Sequence, residues 1–226
     1  MPIPAAEAHV IGATCLQPGS DIAKEMLHLI ADLKMPVCET VLHRKDVEPD
    51  RALEITQFLD DAAELGVTVL LEPTYEPDLA ANPEMCCVTN MGTSSDRGDG
   101  SWGGCCYRNA RFLEDIDTYT RKVCQLYGSH PAVLRHKGRT VIAIGHEMQY
   151  QVSKDDGHGD AIGAMSCYCP DCLNGFVPWL NGRQGDNVEV PREAKPDRVL
   201  WQEWVDYHTE AIPDAIEVQR TAIESE

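Results

Sequence analysis

No stretch of this chain approaches the roughly 20 consecutive apolar residues that a membrane-spanning helix needs. The first ten residues, MPIPAAEAHV, lack the basic start and apolar core of a secretory signal. Basic residues are also scarce. Nineteen Lys and Arg stand against 37 Asp and Glu, a net charge of -18. A surface of that sign repels phosphate backbones and anionic lipid, which argues against nucleic acid and membranes as partners. What is present is an ordinary soluble composition, 43% hydrophobic and 25% charged over 226 residues. That is enough chain to bury the core of one substantial domain, and a single domain over residues 1–226 is expected. Ten cysteines without an export signal point to a reducing cytoplasm, where thiols serve metal binding or packing.

Along the chain, short β-branched runs alternate with amphipathic stretches. His9–Cys15 reads as a first strand, and Ser20 as the N-cap of a helix over Asp21–Leu33, with Ile22, Met26, Leu27, Ile30 and Leu33 at helical spacing. Pro36–Val41 is a second strand. A helix opens at Pro49-Asp50 and stops at Gly66, and Val67–Leu71 is a third strand, apolar throughout as buried parallel strands are. Glu39 falls at the end of the second strand and Glu72 directly after the third. Those are the strand ends at which α/β proteins bind ligands.

A long loop rich in Gly, Ser, Asp and Cys follows, from Glu72 to Asn109. Phe112, Leu113, Ile116, Tyr119, Val123 and Leu126 then trace a helix, and a polar turn at Arg135–Arg139 leads into a fourth strand, Thr140–Ile144. At its end stand His146 and Glu147. A carboxyl leaving a buried strand there is a candidate general acid. The last helix is expected over about Asp197 to Ile223, anchored by Trp201 and Trp204 and bent or interrupted at Pro213. The alternation predicts an α/β fold of (β/α) repeats with parallel strands and right-handed crossovers, with long loops at the C-terminal strand ends.

The most distinctive stretch is Ser166–Leu173, in which Cys167, Cys169 and Cys172 form a C-x-C-x2-C pattern ahead of a short helix over Leu173–Leu180. Thiolates so close together repel one another unless a cation or disulfides absorb their charge. The alternative to a metal site is free or disulfide-paired cysteines. A tetrahedral ion that accepts soft ligands, usually zinc, suits such chelate spacing. The fourth ligand must come from elsewhere, and Cys105-Cys106 offers it. Four thiolates leave no open coordination position, so such a metal is structural.

From Cys106 onward the chain resembles glycoside hydrolase family 42, the β-galactosidases with a TIM-barrel catalytic domain. The resemblance rests on Tyr127-Gly128-Ser129-His130-Pro131-Ala132-Val133 closing a helix, and on His146-Glu147 at a strand end. It rests further on Cys167, Cys169 and Cys172, on Phe176-Val177-Pro178-Trp179-Leu180, and on Leu200-Trp201-Gln202-Glu203-Trp204. It is strong over about residues 106–208 and weaker over 9–105.

It implies a partial TIM-barrel-like fold of about four βα units, with Cys106, Cys167, Cys169 and Cys172 holding structural zinc and Cys105 the alternate fourth ligand. Glu147 is then the general acid/base of a retaining β-galactosidase-like enzyme, and His146, Glu39 and Glu72 bind substrate. The chain departs from the family in carrying His146 where an asparagine is usual, and in lacking a counterpart of the seventh strand, which bears the nucleophile. Eight units make a barrel. The expectation is therefore a fragment, the N-terminal half of such a barrel completed by a partner chain, or a non-hydrolytic relative. The resemblance also implies a homo-oligomer, a trimer. The alternative is a non-catalytic carbohydrate-binding or assembly subunit with the same zinc site.

Overall fold

Helix α1, Asp21–Asp32, starts where Ser20 accepts a hydrogen bond from the Ala23 amide at 3.1 Å, and it buries Ala23, Leu27 and Ile30 along one stripe. The computed structural model describes residues 18–90, 92, 104–144, 167–181, 190–191 and 199–226. The expected first strand, His9–Cys15, lies outside them. The chain divides into two compact units. One comprises Met1–Tyr75, Asp117–His146 and Gln219–Glu226, and the other Glu76–Ile116 and Glu147–Val218.

In the first unit, α1 leads to strand β1, Val37–Leu42, then helix α2, Pro49–Glu64, and strand β2, Thr68–Pro73. The strands pair in parallel from Val37 opposite Thr68 to Leu42 opposite Pro73. A mixed α/β fold is therefore present, as the alternation predicts. The two helices stop in the same way. The Met35 amide reaches back to the Ile30 carbonyl (3.0 Å) and the Val67 amide to the Ala62 carbonyl (2.9 Å). Each closure needs a left-handed residue just before it. Gly66 supplies one at φ 72°, but α1 uses Lys34 at φ 57°.

β2 also bonds on its other side, with parallel bridges from Val69 to Val133 and from Leu71 to Ile142. The strand expected at Thr140–Ile144 meets β2 only over Val141–Ala143, and Ala132–Leu134, outside the expected strand, meets β2 as well. A hairpin lies between these two segments. Its arms are β3, Arg135–His136, and β4, Arg139–Thr140. Lys137 and Gly138 turn it with positive φ at both central residues, as a tight hairpin requires. Beyond this sheet, no barrel is formed among the described residues.

Side chains alternate along a strand. Cys38, Leu42, Val69 and Leu71 enter the core with Leu27, Ile30, Ile55, Phe58 and Leu59. Helix α3, Ala110–Tyr127, adds Tyr119, Val123 and Tyr127 to that core from its second half. The Tyr119 hydroxyl donates to the Leu42 carbonyl at 2.6 Å, and the Tyr127 hydroxyl donates to the Asp46 carbonyl.

The second unit has helix α4, Pro170–Asn181, and most of helix α5, Val199–Ser225. α4 starts three residues earlier than its apolar spacing suggests, because Pro170 fits the first helical position and Asp171 favours the first turn. α5 runs through Pro213 as one helix, without the interruption that a proline there predicts. The long loop is not featureless. A short 3-10 turn, Pro83–Met85, is followed by an antiparallel bridge between Cys86 and Cys105.

Candidate metal centre

Four cysteines from two chain segments meet in the second unit. Cys106 arrives from the strand that pairs with Met85–Cys87, its amide donating to the Met85 carbonyl at 2.9 Å. Cys167 and Cys169 precede α4, and Cys172 lies in its first turn. The ligand atoms of these four side chains all lie within 4.8 Å of one another, and all four residues are buried. Cys106 Sγ is 3.4 Å from Cys169 Sγ and 3.5 Å from Cys172 Sγ. A disulfide would require about 2.05 Å. A tetrahedral zinc with Zn–S bonds of about 2.3 Å sets its sulfurs about 3.8 Å apart. The cluster is therefore compatible with a tetrathiolate zinc site, and the residues fit the ion.

The positions of these thiols follow from local structure. Cys169 directly precedes α4 and Cys172 lies in its first turn, at the positive end of the helix dipole. The Val88 amide donates to Cys167 Sγ at 3.4 Å, and the Tyr168 amide donates to the Val88 carbonyl at 2.7 Å, so the loop and the cysteine motif clasp each other. Hydrogen bonding with Cys106 is the largest influence pulling Cys167 and Cys169 below the usual thiol range. The same mutual bonding, headed by Cys167 for Cys106 and by Cys106 for Cys172, pushes those two up. Four buried sulfurs this close together cannot all carry thiolate charge without a cation among them. A divalent soft-accepting cation resolves that conflict.

Around the sulfurs lies an aromatic shell of Tyr168, Phe176, Trp204 and Tyr207. Phe176 meets Trp204 edge-on with ring centroids 4.8 Å apart. Arg108 stands over the Tyr207 ring at 3.7 Å. His208, buried, has Nδ1 2.8 Å from the Trp204 carbonyl, and the Cys167 amide donates to its Nε2 at 3.1 Å. Burial lowers the affinity of this imidazole for a proton. The second unit thus has cysteines and aromatics for a core, which suits a small unit that needs a metal staple.

Of the residues singled out by sequence, the structure gathers Cys106, Cys167, Cys169 and Cys172. Cys105 stays apart from them: it opposes Cys86 in the bridge, so Cys106 is the fourth member of the cluster. Glu39 lies in the middle of β1 rather than at its end, and Glu72 lies inside β2 rather than after it, because pairing with β1 carries β2 to Pro73. Glu39 opposes Leu70 and Glu72 opposes Val41, so both carboxylates stand on the sheet face turned away from Cys38 and Leu71. Glu72 is buried and Glu39 partly so. His146 and Glu147 lie outside the described residues. Cys87, Val88, Asn109 and His208 support the cluster without having been singled out for it. Only the doublets Cys86-Cys87 and Cys105-Cys106 hint at this in the sequence.

No protein-family model matches the chain, and no curated protein matches it. Among solved structures it is similar to a β-galactosidase from Rahnella sp. R3, with a TM-score of 0.63 at 15% sequence identity over 88% of this chain. The match spans 31% of that β-galactosidase chain, so this chain corresponds to about a third of its length. β-Glycosidase BGL167 also matches, at 12% identity over 88% of this chain and 42% of its own, but a TM-score of 0.38 is too low to inform the fold. No described helix is long and apolar enough to cross a membrane. The chain shares its α/β fold with part of a β-galactosidase structure, and it carries a four-cysteine cluster suited to a metal ion.

Proposed function

We propose that this chain is the metal-stapled part of a glycoside hydrolase of the family 42 type, acting on β-galactosides or related sugars. The observation that carries the reading is the fold shared with about a third of a β-galactosidase chain. The four-cysteine cluster, located where the sequence resemblance implies it, adds to this. In this reading Glu147 protonates the glycosidic oxygen as the leaving group departs and then takes a proton from the attacking water. Glu39 and Glu72 accept hydrogen bonds from sugar hydroxyls, and His146 donates one. A retaining mechanism needs a second carboxyl group about 5–5.5 Å from the first. That group belongs to a part of the barrel beyond these residues, in a longer chain or a partner chain. Zinc held by four thiolates has no open position, so it stabilises the loops and does not touch the sugar. The reading implies a cytoplasmic enzyme with a carbohydrate substrate and no nucleic-acid or membrane partner.

The test is hydrolysis of an aryl β-galactoside by the assembly in which the chain is purified. Glu147→Gln is expected to lower turnover by about 100-fold or more, the usual contribution of a general acid, with zinc content and circular dichroism unchanged. Unchanged turnover removes Glu147 from the mechanism. A wild-type assembly that binds galactosides without cleaving them supports instead the non-catalytic carbohydrate-binding subunit.

A further inference from the structure

Two cysteine doublets, Cys86-Cys87 and Cys105-Cys106, face each other across one antiparallel bridge. Cys86 is directly opposite Cys105. The flanking bonds run from the Cys87 amide to the Gly104 carbonyl and from the Cys106 amide to the Met85 carbonyl. Bonds placed on either side of the pair make it a non-hydrogen-bonded pair, whose Cα atoms stand about 4.5 Å apart. That lies inside the Cα range of about 4.4–6.8 Å that a disulfide spans. Alternation along each strand sends the two members of a doublet to opposite sides. Cys87 and Cys106 accordingly enter the core around the metal cluster, and Cys86 and Cys105 do not. Both are thiols here, Cys86 buried and Cys105 only half-buried.

We propose that Cys86 and Cys105 form a reversible cross-strand disulfide, a redox modification site separate from the metal cluster, charged by a low-molecular-weight disulfide. The Cys105 sulfur, the more exposed of the two, attacks the donor disulfide as a thiolate. Burial pushes its thiol up to about 12, which slows the step. A Cys105–donor bond forms, the donor S–S bond breaks and one donor thiol leaves. Cys86 then attacks the Cys105 sulfur, forming the Cys86–Cys105 bond and releasing the second donor thiol. The protons of the two cysteines pass to the two released thiols, so one donor disulfide is reduced for each protein disulfide formed. The product ties the strand that delivers Cys106 to the strand whose Val88 amide meets Cys167. A reducing thiol reverses it.

The experiment incubates the zinc-loaded wild-type protein with oxidised glutathione, blocks remaining thiols, and maps the chain by mass spectrometry without reduction. The expected result is a whole-chain mass lower by two hydrogens, a linkage between the peptides of Cys86 and Cys105, retained zinc, and reversal by dithiothreitol. Cys87→Ser should leave the linkage intact, whereas Cys86→Ser should stop the reaction as a glutathione adduct on Cys105. A wild-type reaction that stops at that adduct overturns the proposal. So does a linkage among Cys106, Cys167, Cys169 and Cys172, or a linkage that survives in Cys86→Ser.

Discussion

Asn109 Nδ2 donates to Asp171 Oδ2 at 2.8 Å, joining the residue before α3 to the first turn of α4. The same side chain caps α3, its Oδ1 accepting from the Phe112 amide at 3.0 Å, and Nδ2 also reaches the Glu84 carbonyl at 3.3 Å. One amide therefore holds the turn that follows Cys106 against the helix that carries Cys172, without touching a sulfur.

Asn109→Ala should cost about 1–2 kcal/mol of stability, the usual loss for a helix cap, and should speed the release of zinc to a chelator. Asn109→Asp keeps the capping oxygen but cannot donate to Asp171. Urea unfolding should place it between wild type and the alanine variant. Equal stability of Asn109→Asp and wild type would mean that the bond to Asp171 contributes nothing.

Lys34→Gly should stabilise the protein by about 1 kcal/mol, because a left-handed conformation costs a residue with a Cβ roughly that much. The same helix ending at Gly66 already uses glycine. Thermal unfolding is the measurement, and a lower midpoint in the variant would mean that the lysine side chain stabilises the turn in some other way.

How much of this is legible in the sequence depends on the range of the forces involved. α1, α2, β1 and β2 follow local periodicity and turn chemistry, and their sequence-based bounds lie close to the observed ones. The sequence puts Glu72 beyond its strand because the end of β2 is decided by its partner: Pro73 is paired with Leu42, and no local signal says so. The start of α4 is hidden because Pro170 and Asp171 sit inside the cysteine motif and look like loop. The hairpin at Arg135–Thr140 reads as a turn, and what it interrupts becomes visible only through the bonds of Val69 and Leu71 to either side of it. The motif spacing announces three of the four clustered thiols. It leaves Cys105 and Cys106 open, since only strand alternation across the pairing with Cys86 separates them. His208 reaches Cys167 over 41 residues, a contact that spacing cannot encode.

Tyr127 carries the clearest pH dependence. Burial pushes its hydroxyl from 10.0 up to about 12, with the neighbouring Asp46 charge adding to the effect. The folded chain therefore holds this proton more tightly than the unfolded chain. The contribution is complete below about pH 10 and is lost as pH rises toward 12, on the order of 2 kcal/mol in total. Tyr127→Phe should lose about 1 kcal/mol at neutral pH with the bond to the Asp46 carbonyl. Its stability should then fall less steeply than that of wild type between pH 10 and 12. Parallel profiles for the two proteins would show that Tyr127 ionisation plays no part.

The central claim is that Cys106, Cys167, Cys169 and Cys172 hold one metal ion as a structural staple. X-ray absorption on protein purified without added metal, combined with elemental analysis, tests it directly. The expected result is one zinc per chain with four sulfur neighbours at about 2.3 Å. In Cys172→Ser, the metal should be lost along with more than about 4 kcal/mol of stability, as befits the loss of a metal site. A metal-free protein that is equally stable, a zinc shell containing nitrogen or oxygen, or disulfides among these four cysteines would contradict the account.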